Sequence, residues 1–226
     1  MYGRTFLRDY AATPTGRLRL VVGYVGLAVA LRAPFVLEAG GTAAALSLAR
    51  DAVALAVKTL LAVVLPIVFL RHVSPETPLK RALRLSPAGT ASGVARATIV
   101  ALLFFALIYA LSSLQDGHLR RIALGSWPFA ALGVLHVIVE EIGARGFVLT
   151  FLAEGRTFAR ANVILSGLFV SLHWPVWYVA GMRWEILPVT VVLFVVSLVL
   201  GWVTKLSGSI WIAVALHAAN NALAGH

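Results

Sequence analysis

The chain has no cysteine, which excludes disulfides, thiolate zinc sites and cysteine nucleophiles. Charge is also scarce. Only 12% of the 226 residues are Asp, Glu, Lys or Arg, where a soluble domain carries about 25%. Acids are the rarest, nine against nineteen bases. So few charges cannot clothe a water-facing surface, and 60% of the residues are hydrophobic, above the usual ~45–50%. There is no internal repeat, no low-complexity tract and no linker long enough to separate domains. Residues 1–226 therefore read as a single integral membrane domain.

What the chain does have is long apolar runs. Runs of about 18 residues or more point to membrane-spanning helices. The expected fold class is all-α, a polytopic transmembrane helix bundle of about seven spans, within a range of six to eight. The spans are expected at 18–37, 52–70, 97–114, 126–152, 160–179, 186–205 and 209–224. Ser126 fits the N-cap of the fourth, with Pro128 in its first turn. The basic N-terminus resembles the start of a signal peptide. The run behind it carries Arg32 and lacks a clean small-residue cleavage site, so a retained helix is expected.

The net charge of +10 need not mean nucleic acid. With the N-terminus inside, the inner segments hold twelve Lys and Arg, and the outer loops only Arg120, Arg121 and Arg183. That is the loop bias of a membrane protein with a cytoplasmic N-terminus, expected in a prokaryotic cell membrane, and no nucleic-acid partner is called for. "LKRALRL", residues 79–85, is amphipathic enough to lie on the inner leaflet, and a plain positive-inside loop is the favoured reading. Asp51 and Lys58 in the second span, and Arg32 in the first, are expected to pair across helices or snorkel outward. Asp116 and His118 are expected in a short, solvated outer loop. Trp174, Trp177, Tyr178, Trp184 and Trp202 read as an interfacial aromatic belt.

Three polar constellations interrupt the back half. Ionisable groups inside spans are costly and face a partner or a cavity. In "VEEIGARGF" Glu141 and Arg145 are four apart with the acid first, the favourable order for an ion pair. Glu140 points about 100° away around the helix and must face something else. In "FVSLHWP" Phe169 and His173 share a face, and Pro175 should loosen the helix near the imidazole. In "ALHAANN" His217 and Asn221 share a face, with Asn220 adjacent. Counted from inner-side markers, Glu140 is fourteen residues from Glu154, His173 thirteen from Arg160 and His217 twelve from Lys205. At about 1.5 Å per residue all three sit about 18–21 Å deep.

A carboxylate and an imidazole at one depth can hold and deprotonate a water. Glu140 with His173 would do this, and His217 and Asn221 would donate to the oxyanion formed on a carbonyl. Glu141 and Arg145 would brace the helix. His136, one turn before Glu140, and Asn220 are candidates to support the site from behind. Together with Glu140, His173 and His217, His136 could make a nitrogen/oxygen metal site. The spacing is not H-E-x-x-H, so no metal and no cofactor is expected.

"EEIGAR", "FVSLH" and "HAANN" together resemble the EExxxR, FxxxH and HxxxN motifs of the CAAX-protease and bacteriocin-processing family of intramembrane peptidases, which includes the type II CAAX prenyl endopeptidase. The resemblance covers about residues 126–226, the motif-bearing core. It implies a glutamate-type endopeptidase with Glu140 as base, His173 holding the water, His217 and Asn221 as the oxyanion hole, and Glu141, Arg145 and Phe169 in support. A metal mechanism has also been argued for the family. The implied substrate is a peptide or membrane protein, lipidated or not. The competing readings are a non-catalytic membrane scaffold and a proton-coupled carrier using the same buried groups.

Overall fold

The computed structural model describes residues 8–37, 44–86, 89–116, 127–179 and 181–224. Among these residues the chain is all-α, without a strand. In chain order the helices are α1 (Pro14–Leu37), α2 (Ala44–Thr59), α3 (Leu65–Val73), α4 (Leu79–Ala82), α5 (Ala91–Asp116), α6 (Trp127–Glu141), α7 (Thr150–Ala153), α8 (Phe158–Ser171), α9 (Trp174–Val179), α10 (Ile186–Ser207) and α11 (Trp211–Ala224). Two widened π-helical segments splice helices together. Leu60–Val64 joins α2 to α3, and Ile142–Leu149 joins α6 to α7.

Where they are described, the seven expected spans are helical except at residues 172–173, inside the fifth, and 209–210, at the start of the seventh. Four stretches among the described residues are long and apolar enough to cross a membrane: Asp51–Val73, Ala91–Leu114, Phe158–Val179 and Ile186–Ser207. The last helix has only 14 residues, short of the ~20 needed to span the hydrocarbon. The run through α6 and α7 carries Glu140, Glu141 and Arg145. Ser126 and His118 lie outside the described residues, as do Arg120 and Arg121.

Helices are the natural solution here because lipid offers no partner to a free backbone N–H or C=O. α5 shows the lipid-facing pattern, with Leu102, Leu103, Leu107, Leu111 and Leu114 exposed. Its other side packs on α10, which also touches α8 and α11. Ala97, Val196, Leu200, Val203, Ala213 and Leu216 fill that seam. A larger core gathers around Phe147, Leu149, Leu152, Leu165 and Phe169. Tyr178 and Trp184 are strongly exposed, and Trp184 lies just ahead of α10.

The helix break expected near His173 is present. α8 stops at Ser171 and α9 starts at Trp174, with the His173 N–H bonded three residues back to the Val170 carbonyl (2.9 Å). Pro175 has no N–H to continue the ladder and disfavours helical geometry just before it.

The segment containing "LKRALRL" is more than a charged loop. It forms α4 and buries Leu83 against the core. Arg84 then takes a left-handed conformation, φ 52°. This turns its carbonyl to accept the Ile210 N–H at 3.2 Å, ahead of α11. Its Nε donates to the Thr150 hydroxyl at 3.0 Å, and burial pushes its guanidinium below its ordinary pKa. At the same end Arg17 of α1 pairs with Glu154 and donates to the Phe151 carbonyl.

Two glycines in the π-helical segment permit close approach. A Cβ on Gly143 would lie 2.8 Å from the Ala62 Cβ, and one on Gly146 would lie 2.7 Å from the Leu83 carbonyl oxygen. Small residues let membrane helices meet backbone to backbone. Because a carbonyl cannot swing aside like a side-chain tip, Gly146→Ala should cost about 1–3 kcal/mol by overpacking. Unfolding of the purified variant in detergent measures this, and wild-type stability would show that the contact yields.

Candidate functional site

The three polar constellations meet where α6, α8 and α11 converge. Glu141 and Arg145 are fully buried. Arg145 Nη1 donates to Glu141 Oε1 at 2.8 Å, the pair expected from their spacing. Arg145 Nη2 donates to the Ser197 hydroxyl at 2.6 Å and to the Ser197 carbonyl at 3.2 Å. The Arg145 guanidinium also lies 4.6 Å from the centre of the Phe169 ring, a cation–π contact strengthened by the burial of Arg145.

His217 sits between the two glutamates. Its Nδ1 is 2.8 Å from Glu141 Oε1, and its Nε2 is 3.7 Å from Glu140 Oε2. Glu141 is already the acceptor for Arg145, so an ionised Glu141 requires Nδ1 to carry the proton. Nε2 is then the atom presented toward Glu140.

Glu140 does face something else, as its helix angle required. Its Oε1 receives Lys58 Nζ at 2.5 Å. Lys58 is buried at 8% exposure, so the charge is not snorkelling outward. Of the two outcomes expected for Lys58, pairing across helices is the one observed. Asp51 lies two turns earlier on α2. The side chain of Arg32 lies outside the described residues.

His173 lines the same cavity as Glu140. This cavity, about 70 Å³, is bordered on its polar side by Lys58, Glu140 and His173, and on its apolar side by Tyr24, Leu165 and Phe169 among others. It is polar and roomy enough for water. His173 Nδ1 is 2.9 Å from the Phe169 carbonyl oxygen. A carbonyl only accepts, so Nδ1 donates and the neutral ring keeps its lone pair on Nε2. Phe169 packs against both imidazoles, with ring centres 5.0 Å from His173 and 6.0 Å from His217.

The structure thus brings together Glu140, Glu141, Arg145, Phe169, His173 and His217. Asn220 and Asn221 are half-buried on α11, Asn221 one turn past His217. Among the described residues neither amide makes a hydrogen bond to the cluster. His136 is half-buried one turn before Glu140. Among the described residues no three His, Cys, Asp or Glu side chains gather as a metal-binding group.

Sequence reasoning did not foresee two members. Ser197 is one serine in an apolar helix, and nothing local distinguishes it from a packing residue. Lys58 did stand out as a cation inside an apolar run, but its partner is 82 residues away, and no spacing reveals that.

A membrane-embedded helix bundle with a buried acid–imidazole cluster is the class of protein defined by this fold and site. Residues 121–223 match the family model described as Type II CAAX prenyl endopeptidase Rce1-like. Over that stretch, a little under half of the chain, the sequence is similar to that family of type II CAAX prenyl endopeptidases. The front half of the chain lies outside the match. No curated protein and no solved structure matches the chain.

Arg145 donates to three acceptors in a fully buried site, so Arg145→Met, which strands Glu141, should cost about 3–5 kcal/mol. Ser197→Ala removes one bond to a charged donor and should cost about 1.5–3 kcal/mol. Thermal or denaturant unfolding in a fixed detergent orders the two, and equal small losses would show that the pair is not structural.

Proposed function

We propose that this protein is an intramembrane endopeptidase in which Glu140 activates a water to hydrolyse a peptide bond. The observation that carries the proposal is convergence. An acid from α6 and an imidazole from the α8–α9 break line one cavity, an imidazole from α11 lies 3.7 Å from that acid, and neighbouring cations balance the acids' charge. The family match supplies the reaction class and a peptide or protein substrate in the membrane.

A water between Glu140 and His173 would donate one hydrogen to Glu140 Oε2 and the other to the His173 Nε2 lone pair. Its own lone pair is then directed at the scissile carbonyl. As the C–O bond forms, the water's O–H bond breaks and its proton moves to Glu140, while the carbonyl π pair moves onto oxygen. The resulting oxyanion is met by His217 Nε2, in its protonated ring, and by the Asn221 amide. When the C–N bond breaks, Glu140 returns the proton to the leaving amine. The apolar wall around the cavity suits a substrate that arrives from the bilayer, lipidated or as a membrane segment.

The decisive experiment is cleavage of a broad peptide set, including lipidated C-terminal peptides, by purified protein with and without chelator. Glu140→Gln should lose about 10²–10⁴-fold in turnover while folding normally. Chelator should leave the wild type active, and loss of activity with chelator would instead make Glu140, His173 and His217 metal ligands. His217→Ala and Asn221→Ala should each lower kcat by about 10²–10³-fold with KM largely kept. Unchanged turnover in either variant removes that residue from the oxyanion role.

A further inference from the structure

We propose that Lys58, on a helix outside the family match, is a positioning residue for the hydrolysis. It holds Glu140 by Oε1, so that Oε2, on the His217 side, is the oxygen that takes the proton. The inference rests on reading Glu140 as the base.

Three observations carry it. The first is the contact itself, Nζ to Oε1 at 2.5 Å, a charge-assisted bond. Glu140 Oε2 is left facing His217 Nε2 at 3.7 Å. The carboxylate is thus fixed from both sides, and its two oxygens are no longer equivalent.

The second is the rigidity of what carries Lys58. Immediately beyond it α2 widens into the π-helical segment Leu60–Val64, a local distortion that often marks functional positions. That segment is gripped from two directions. Gly143 lets the π-helical segment after Glu141 press against Ala62, and the Tyr24 hydroxyl of α1 donates to the Leu61 carbonyl at 3.0 Å. Lys58 and Glu140 are therefore held by two helices locked side by side, not by a flexible reach.

The third is charge balance. Lys58 and Arg145 offset Glu140 and Glu141 one for one. When water attacks, the negative charge leaves Glu140 and appears on the substrate oxyanion within the same cavity. An ammonium lining that cavity balances the charge in both states, so the transfer never isolates a charge in a water-poor site.

The test is steady-state cleavage by the full-length protein in lipid nanodiscs. The substrate is the best-cleaved member of the peptide set, and the variants are Glu140→Gln, Lys58→Met, Lys58→Gln and Lys58→Arg. Lys58→Met should lower kcat by about 100-fold or more, with KM within about threefold of wild type. Lys58→Arg should recover much of this, remaining about tenfold down because a planar fork does not reproduce the ammonium's single-point grip. A purely structural lysine would lower the folded fraction without this graded kcat.

If Glu140→Gln is inactive while Lys58→Met keeps full kcat, the inference fails and the peptidase reading stands. A raised KM at unchanged kcat would make Lys58 a substrate-binding cation, which also overturns it. If Glu140→Gln is fully active, the reading of Glu140 falls and takes the inference with it. Should Lys58→Met not fold, Lys58→Gln, uncharged and still able to hydrogen bond, is expected to show the same kcat loss. If neither folds, Lys58→Arg decides, and wild-type kcat and KM in that variant overturn the proposal.

Discussion

The buried bond between Glu141 and Arg145 is the interaction on which the rest of this site depends. Neither side chain reaches solvent, so each charge is tolerable only because the other is there. Once paired, they organise three further helices. Arg145 reaches α10 through Ser197 and α8 through the face of Phe169. Glu141 reaches α11 through His217. A spacing of four residues within one helical run thus becomes the hub of a four-helix junction. The groups that would do chemistry, Glu140, His173 and His217, are hung around that hub at fixed distances.

Backbone distortion is the second constraint. α6 passes into π-helical geometry directly after Glu141, and α2 does so shortly after Lys58. α8 breaks at His173, where Pro175 removes a donor. In lipid an unsatisfied backbone group is expensive, so each irregularity needs local repair. Tyr24 supplies it for Leu61, and the Val170 carbonyl takes the His173 N–H. Three of the irregularities in the bundle therefore border one cavity. They widen or interrupt helices where polar side chains must turn inward.

Much of this could be read in the residues. The scarcity of charge and the long apolar runs identified the helical membrane class. The i,i+4 spacing of Glu141 and Arg145 anticipated their bond, and the ~100° offset of Glu140 anticipated that it would face elsewhere. Counting residues from Glu154, Arg160 and Lys205 gave Glu140, His173 and His217 a common expected depth. Pro175 announced the break at His173. "LKRALRL" was less legible, because burial of Leu83 and the left-handed turn at Arg84 depend on α7 and the start of α11, far away in sequence.

By itself, then, the sequence determined what is local: helix, face and the pairing of residues one turn apart. Those follow from a rise of about 1.5 Å and about 100° per residue and from the cost of charge in lipid. Only the tertiary structure decided which distant groups meet. It put Lys58 on Glu140, Ser197 on Arg145 and His217 between two carboxylates, and it left Asn221 a turn away from the cluster. Such contacts depend on how helices pack against one another. That packing is set by small residues such as Gly143 and Gly146, which allow close approach without naming the partner that makes it.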